Sequence, residues 1–138
     1  MEGESRHVAQ RIDRPWPAVA AFVADPANLP AWAVGLGSGI EQRDGVWTAG
    51  TPGGRIEVRF TQANPYGVAD HDVTLPDGSV VHVPLRVLPF GSGAEVVLTI
   101  RRGPAMSDDD FDADEAAVRA DLQRLRAVLE AAPAPTDV

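Results

Sequence analysis

"GVADHDVTLPDGSVVHVPLRV", residues 67–87, is the stretch on which the fold turns. Two runs of alternating polarity flank Leu75-Pro76-Asp77-Gly78-Ser79. Proline is preset for the second position of a type I turn, and glycine suits the left-handed position that follows. The pattern predicts a three-residue hairpin loop with a bulge at Gly78. Leu75 then pairs with Ser79. Counting back sets Val73 opposite Val81, His71 opposite Val83 and Ala69 opposite Leu85, on one nearly apolar face. The other face sets Asp72 against His82, Asp70 against Pro84 and Val68 against Arg86. A two-residue loop would oppose Asp72 to Val83 and mix polar with apolar on both faces, so the hydrophobic pattern rejects it. His71 is expected to point inward, and His82 outward to meet Asp72 as a surface pair.

Working outward, turn signals at Asp44-Gly45, Thr51-Pro52-Gly53-Gly54, Asn64-Pro65-Tyr66-Gly67 and Gly91-Ser92-Gly93 divide the middle of the chain. Six strands are expected, at 38–43, 46–51, 55–63, 67–75, 79–90 and 94–102, and turns this short make them an antiparallel meander. The tight turn at Asp44-Gly45 sets Trp47 opposite Gln42, with Ile40 and Ala49 on the same face. Ile56, Val58 and Phe60, and later Val96, Leu98 and Ile100, read as inner-face residues. Before the meander, residues 6–12 read as a strand. Trp16, Val19, Ala20 and Val23 then fall at helical spacing, with proline suited to the first turn. Pro26 ends that helix, and Asn28 to Trp32 suggest a shorter one ending near Gly35. After the meander, Ser107 and Asp110 form a capping box, and Asp108, Asp109 and Asp110 sit where the helix dipole favours negative charge. Val118, Leu122, Leu125 and Leu129 make one apolar stripe. The acidic run "SDDDFDADE", 107–115, is therefore read as a helix start and a solvated surface. A sheet with one apolar face needs a cover, and only this long helix has the length and stripe to supply it. The reading is one α+β domain over residues 1–132, a sheet curled around a C-terminal helix, with 133–138 as a disordered tail.

Composition narrows the function classes. At 138 residues and 44% hydrophobic, the chain can bury a core as a single domain. The net charge of −8 disfavours nucleic acid and anionic membranes as partners. No apolar run is long enough to span a membrane, and the polar N-terminus lacks a signal-peptide core, so a cytoplasmic location is expected. Cysteine is absent, which removes disulfides and thiol nucleophiles. All twelve basic residues are arginines. Without lysine there is no Schiff-base chemistry, and no cofactor is expected.

The segments "IDRPWPAVAAFVADPANLPAW" and "DEAAVRADLQRLRAVLE", on either side of a meander, resemble the START-like, or SRPBCC, superfamily over nearly the whole chain. Pro15, Val19, Asp25-Pro26 and Trp32 carry the resemblance most clearly. It implies a helix-grip fold with an apolar cavity between sheet and helix. "GVADHDV", the turn Asp77-Gly78 and "VPLRV" look like its polyketide-cyclase-like branch. The superfamily hosts carriers, enzymes and co-chaperone domains, so function has to come from the cavity.

His71 is the first candidate for chemistry, as a general base or as a hydrogen-bond donor to a ligand carbonyl. The alternative is a core histidine bonded to a backbone carbonyl or a water. Arg86 is second: it faces out by the bulge count, and a further bulge near Pro84 would turn it inward as a cation for a carboxylate or enolate. The expected ligand-contacting set is Trp32, Trp47, Ile56, Val58, Phe60, His71, Val73, Val83, Leu85, Leu98 and Leu122. His7, His71 and His82 are scattered, so no metal site is expected. The expected partner is a small apolar or aromatic molecule, bound by a carrier or turned over by a cyclase- or dehydratase-type enzyme. A protein-interaction module ranks last, and the edge strand 38–43 could pair with a second copy.

Overall fold

The structure, a computed structural model, describes residues 3–33 and 39–131. The expected end of the second helix near Gly35, and the tail 133–138, lie outside them. Strand β1 (Ser5–Ile12) leads into helix α1 (Trp16–Ala24), a 3-10 turn (Pro26–Asn28) and helix α2 (Leu29–Trp32). Seven strands follow: β2 (Ile40–Arg43), β3 (Val46–Thr51), β4 (Gly54–Phe60), β5 (His71–Thr74), β6 (Val80–Val83), β7 (Leu85–Phe90) and β8 (Gly93–Arg101). Helix α3 (Asp108–Ala131) closes the described chain. Every pairing is antiparallel, with β2-β3-β4-β5-β6 forming one sheet and β1-β8-β7 the other. The curved sheet grips α3, which packs on β1, β8 and α2.

The hairpin adopts the register that its turn dictates. His71 pairs with Val83, Asp72 with His82 and Val73 with Val81, and Val68 bridges Arg86. Gly78 takes φ +87°, and the loop closes by Leu75 N–H donating to Ser79 O at 2.8 Å. Asp44 and Gly45 both have positive φ, as a type I′ turn requires, and Gln42 pairs with Trp47. Gly67 has φ +77°, and a Cβ there would come within 2.2 Å of Val87 O. That close approach lets Val87 N–H reach Gly67 O at 2.8 Å.

Three expectations are corrected. The single strand 79–90 is two strands, because Pro84 has no N–H to continue the ladder and the chain changes sheets there. Strands 55–63 and 67–75 are shorter, β4 ending at Phe60 and β5 starting at His71. Val81 lies on the inner face as counted but is 46% exposed. The hairpin tip has Leu75, Val80 and Val81 all exposed, so the inner-face pattern outruns its cover.

The acidic run does more than start a helix. Ser107 and Asp110 form the capping box, with the Asp110 N–H donating to Ser107 Oγ at 3.0 Å and the Ser107 N–H to Asp110 Oδ2 at 3.1 Å. Asp108 and Asp112 pair with Arg102 and Arg6, at 2.6 and 2.7 Å. These pairs tie α3 to the strand pair β1–β8. Phe111, inside the run, is fully buried, with the Arg6 guanidinium 4.1 Å from its ring centre. Leu122 and Leu125 of the apolar stripe are fully buried, and Val118 and Leu129 half-buried against the core. β2 is the edge of its sheet, with Glu41 and Arg43 paired at 3.7 Å along it.

Candidate functional site

His71 opens β5 and is 9% exposed. Its ring stacks on Phe60 of the neighbouring strand, centroids 4.5 Å apart and planes within 8°. Nδ1 lies 3.0 Å from Ala69 O. A carbonyl can only accept, so Nδ1 carries the proton and the neutral ring leaves a lone pair on Nε2. Nε2 has no hydrogen-bond partner among the described residues. Burial pushes the His71 pKa below its ordinary value, with the Ala69 hydrogen bond pulling weakly the other way. The neutral imidazole is therefore an acceptor. In this tautomer the Nδ1 proton is engaged by Ala69 O, and Nε2 is the free acceptor position of the ring.

A hollow of about 140 Å³ lies between sheet and helix, walled by Leu29, Trp32, Ala33, Val58, His71, Val73, Leu98 and Asp121. Trp32, 2% exposed, comes from α2, and its indole N–H has no hydrogen-bond partner among the described residues. A buried donor without an acceptor is costly, and native interiors rarely leave one. Five of the residues expected to contact a ligand meet here: Trp32, Val58, His71, Val73 and Leu98. The others do not wall this hollow. Ile56, Leu85 and Leu122 are buried in the core, and Trp47 and Phe60 are half-buried against it. Val83 walls a neighbouring cleft of about 190 Å³ with Val81, Leu98, Ile100, Asp114 and Val118. Leu98 is common to both hollows.

Leu29, Ala33 and Asp121 were not anticipated. Asp121 has a readable signal: Asp114, Val118 and Asp121 are spaced four and three, on the helical edge beside Leu122 and Leu125. Burial raises the Asp114 pKa.

Arg86 faces outward, as the bulge count sets it, and the inward alternative is not adopted. It forks onto Asp70, Nε to Oδ1 at 2.7 Å and Nη2 to Oδ2 at 2.6 Å. Asp70 is 9% exposed and also accepts the Leu85 N–H at 2.9 Å. The Arg86 hydrogen bonds hold the Asp70 carboxyl below the usual carboxylate range, helped by the Leu85 N–H and opposed by burial. His82 Nδ1 meets Asp72 Oδ1 at 2.7 Å, with both side chains about half-exposed.

A larger groove, about 490 Å³, runs between α1 and the β4–β5 connection. Its polar groups are already engaged. The Trp16 indole donates to Val87 O, and the Asn64 amide braces its own loop. The Asp25 carboxylate accepts from Ala27 N–H.

A curved antiparallel sheet around a long helix, with a small hollow between them, defines a helix-grip fold. Solved structures share this fold. XoxI from Bacillus cereus is similar over 92% of this chain and 96% of its own, at 13% identity and a TM-score of 0.73. DynU16, a protein of the dynemicin biosynthetic locus, is similar over 92% of this chain and 47% of its own, at 14% identity and 0.71. Ara h 8.0201 is similar over 94% of this chain and 99% of its own, at 12% identity and 0.65. The likeness agrees with the START-like type of fold that the sequence resembles. The sequence itself matches no family model and no curated protein.

Proposed function

We propose that the protein binds a small apolar or aromatic molecule in the hollow between sheet and helix. The observation that carries this reading is a mostly aliphatic wall that also holds Trp32, whose buried N–H is without a partner among the described residues, with His71 and Asp121. Ligand sites are commonly apolar with a few placed polar groups. A cavity of about 150 Å³ is known to accept one benzene ring, so a hollow of about 140 Å³ suits a single ring or one end of a longer molecule. The test is calorimetry with toluene, alongside native mass spectrometry of protein purified from its own host. Toluene should bind and raise the Tm. No heat, no shift and no co-purified small molecule would overturn the reading.

A second reading, a cyclase- or dehydratase-type enzyme, is favoured by the His71 tautomer, because a lone pair on Nε2 is what a general base needs. Against it, no acid orients the ring: Asp70, its neighbour in sequence, is committed to Arg86 and Leu85. DynU16 comes from a biosynthetic locus, which keeps an enzyme under consideration, but the likeness to it is one of fold. Replacing His71 with Phe separates the two readings. An unchanged turnover of an aromatic polyketide would exclude the base; turnover lost with binding intact would support it.

A further inference from the structure

Strand β2 is the outermost strand of its sheet, and among the described residues no strand pairs with its other side. The turn at Asp44-Gly45 decides which backbone groups lie on that open side. A two-residue turn makes the residues that flank it a mutually hydrogen-bonded pair, and every second pair along the hairpin repeats the arrangement. Arg43 with Val46 and Glu41 with Thr48 are such pairs, so their N–H and C=O groups point into the sheet. Ile40 and Gln42 turn theirs to the open side. Glu41, Gln42 and Arg43 are all exposed. A row of unpaired N–H and C=O groups is a template for another strand.

The charges on β2 select a second copy of the same strand. Three antiparallel two-fold registers bring the open backbone groups together. Centred on Ile40, the register sets Glu41 against Gly39 and leaves Arg43 unmatched. Centred on Glu41, it puts two like charges face to face, which is unfavourable. Centred on Gln42, it lets the two Gln42 residues exchange N–H···O bonds and sets each Glu41 opposite the Arg43 of the other copy. Those flanking pairs fall at positions without backbone bonds, where side chains come closest. Within one chain these groups make only loose, exposed contacts, Arg43 Nη2 to Glu41 Oε2 at 3.7 Å and Arg55 Nη2 to the same oxygen at 3.4 Å. We propose that the protein self-associates through β2, antiparallel about a two-fold axis at Gln42, with Glu41 of each copy paired to Arg43 of the other.

Sedimentation equilibrium of the unaltered protein tests this, at up to about 500 μM because so short a joint is weak. The mass should rise with concentration from 14.6 kDa towards twice that value. Gln42→Pro removes the N–H at the centre of the joint. That N–H faces away from β3, and an edge strand tolerates a proline so placed. The variant should stay monomeric, with its urea midpoint close to that of the unaltered protein. Glu41→Arg and Arg43→Glu should each weaken the dimer about tenfold, as attraction turns to repulsion twice across the axis. The double exchange should restore it. A single-chain mass at every concentration overturns the proposal. So does a dimer that survives Gln42→Pro, or a double exchange no tighter than either single one. If Gln42→Pro fails to fold, the charge exchange decides by itself.

Discussion

Two carboxylate–cation pairs lie on the outer face of the same hairpin, Asp72 within β5 and Asp70 just before it, and the structure treats them differently. Asp70 with Arg86 is nearly buried on its acidic side and takes a backbone N–H as a third donor. Asp72 with His82 is half-exposed on both sides and holds a single contact. The parity of the strand is the same for both. The difference is Pro84, whose missing N–H interrupts the ladder opposite Asp70 and leaves the Leu85 N–H to be satisfied by a side chain. A proline break thus turns a surface pair into a structural join between two sheets, while its neighbour stays an ordinary surface contact.

The largest expected effect comes from removing the join. Asp70→Ala leaves the Leu85 N–H without its acceptor and Arg86 unpaired, and should cost about 3 kcal/mol in urea unfolding. Asp70→Asn keeps a neutral acceptor and should cost about half as much. If Asp70→Ala proves as mild as a surface change, the contrast between the pairs fails.

The next effect is one of pH. His71 has its folded pKa lowered mainly by burial, so below about pH 6.5 the unfolded chain binds the extra proton first. Its share of stability is present above about pH 6.5 and is lost as the pH falls toward the folded pKa. Asp70, also lowered, adds its share above its unfolded pKa of about 3.9 and loses it at still lower pH, through its folded value. Urea midpoints measured from pH 8 to 4 should decline through the histidine window, and His71→Phe should flatten that part of the slope. An unchanged slope in the variant would mean that His71 is not held neutral by the fold. The smallest effect is Asp72→Ala, at most about 1 kcal/mol by the same unfolding measurement, because exposed pairs are weak.

Much of this arrangement was legible locally. The Pro76-Asp77-Gly78 turn sets parity, and parity alone places His71 inside, His82 outside and Arg86 outward. Ser107 and Asp110 announced the start of α3 at the position observed. What was missed depends on distant contacts. Pro84 was visible as a possible bulge site, but that Asp70 would become buried there depends on the Arg86 fork over it and on Thr61, whose N–H and hydroxyl both donate to Asp70 O. Asp121 and Trp32 meet across α3 and α2, and no periodicity within either helix brings them together. Phe111 was hidden by its own surroundings, an aromatic anchor among five aspartates and a glutamate.

The uncovered tip of the hairpin bears on how the protein can change. Beyond the Asp70–Arg86 join, Leu75, Val80 and Val81 are exposed, while Val81 and Val83 also wall the cleft that shares Leu98 with the inner hollow. Substitutions at the tip can therefore reshape the cleft beside the hollow while the gripped helix, tied down at Arg6 and Arg102, keeps its seat. The shape of the surface beside the hollow can thus vary with little cost to the stability of the fold.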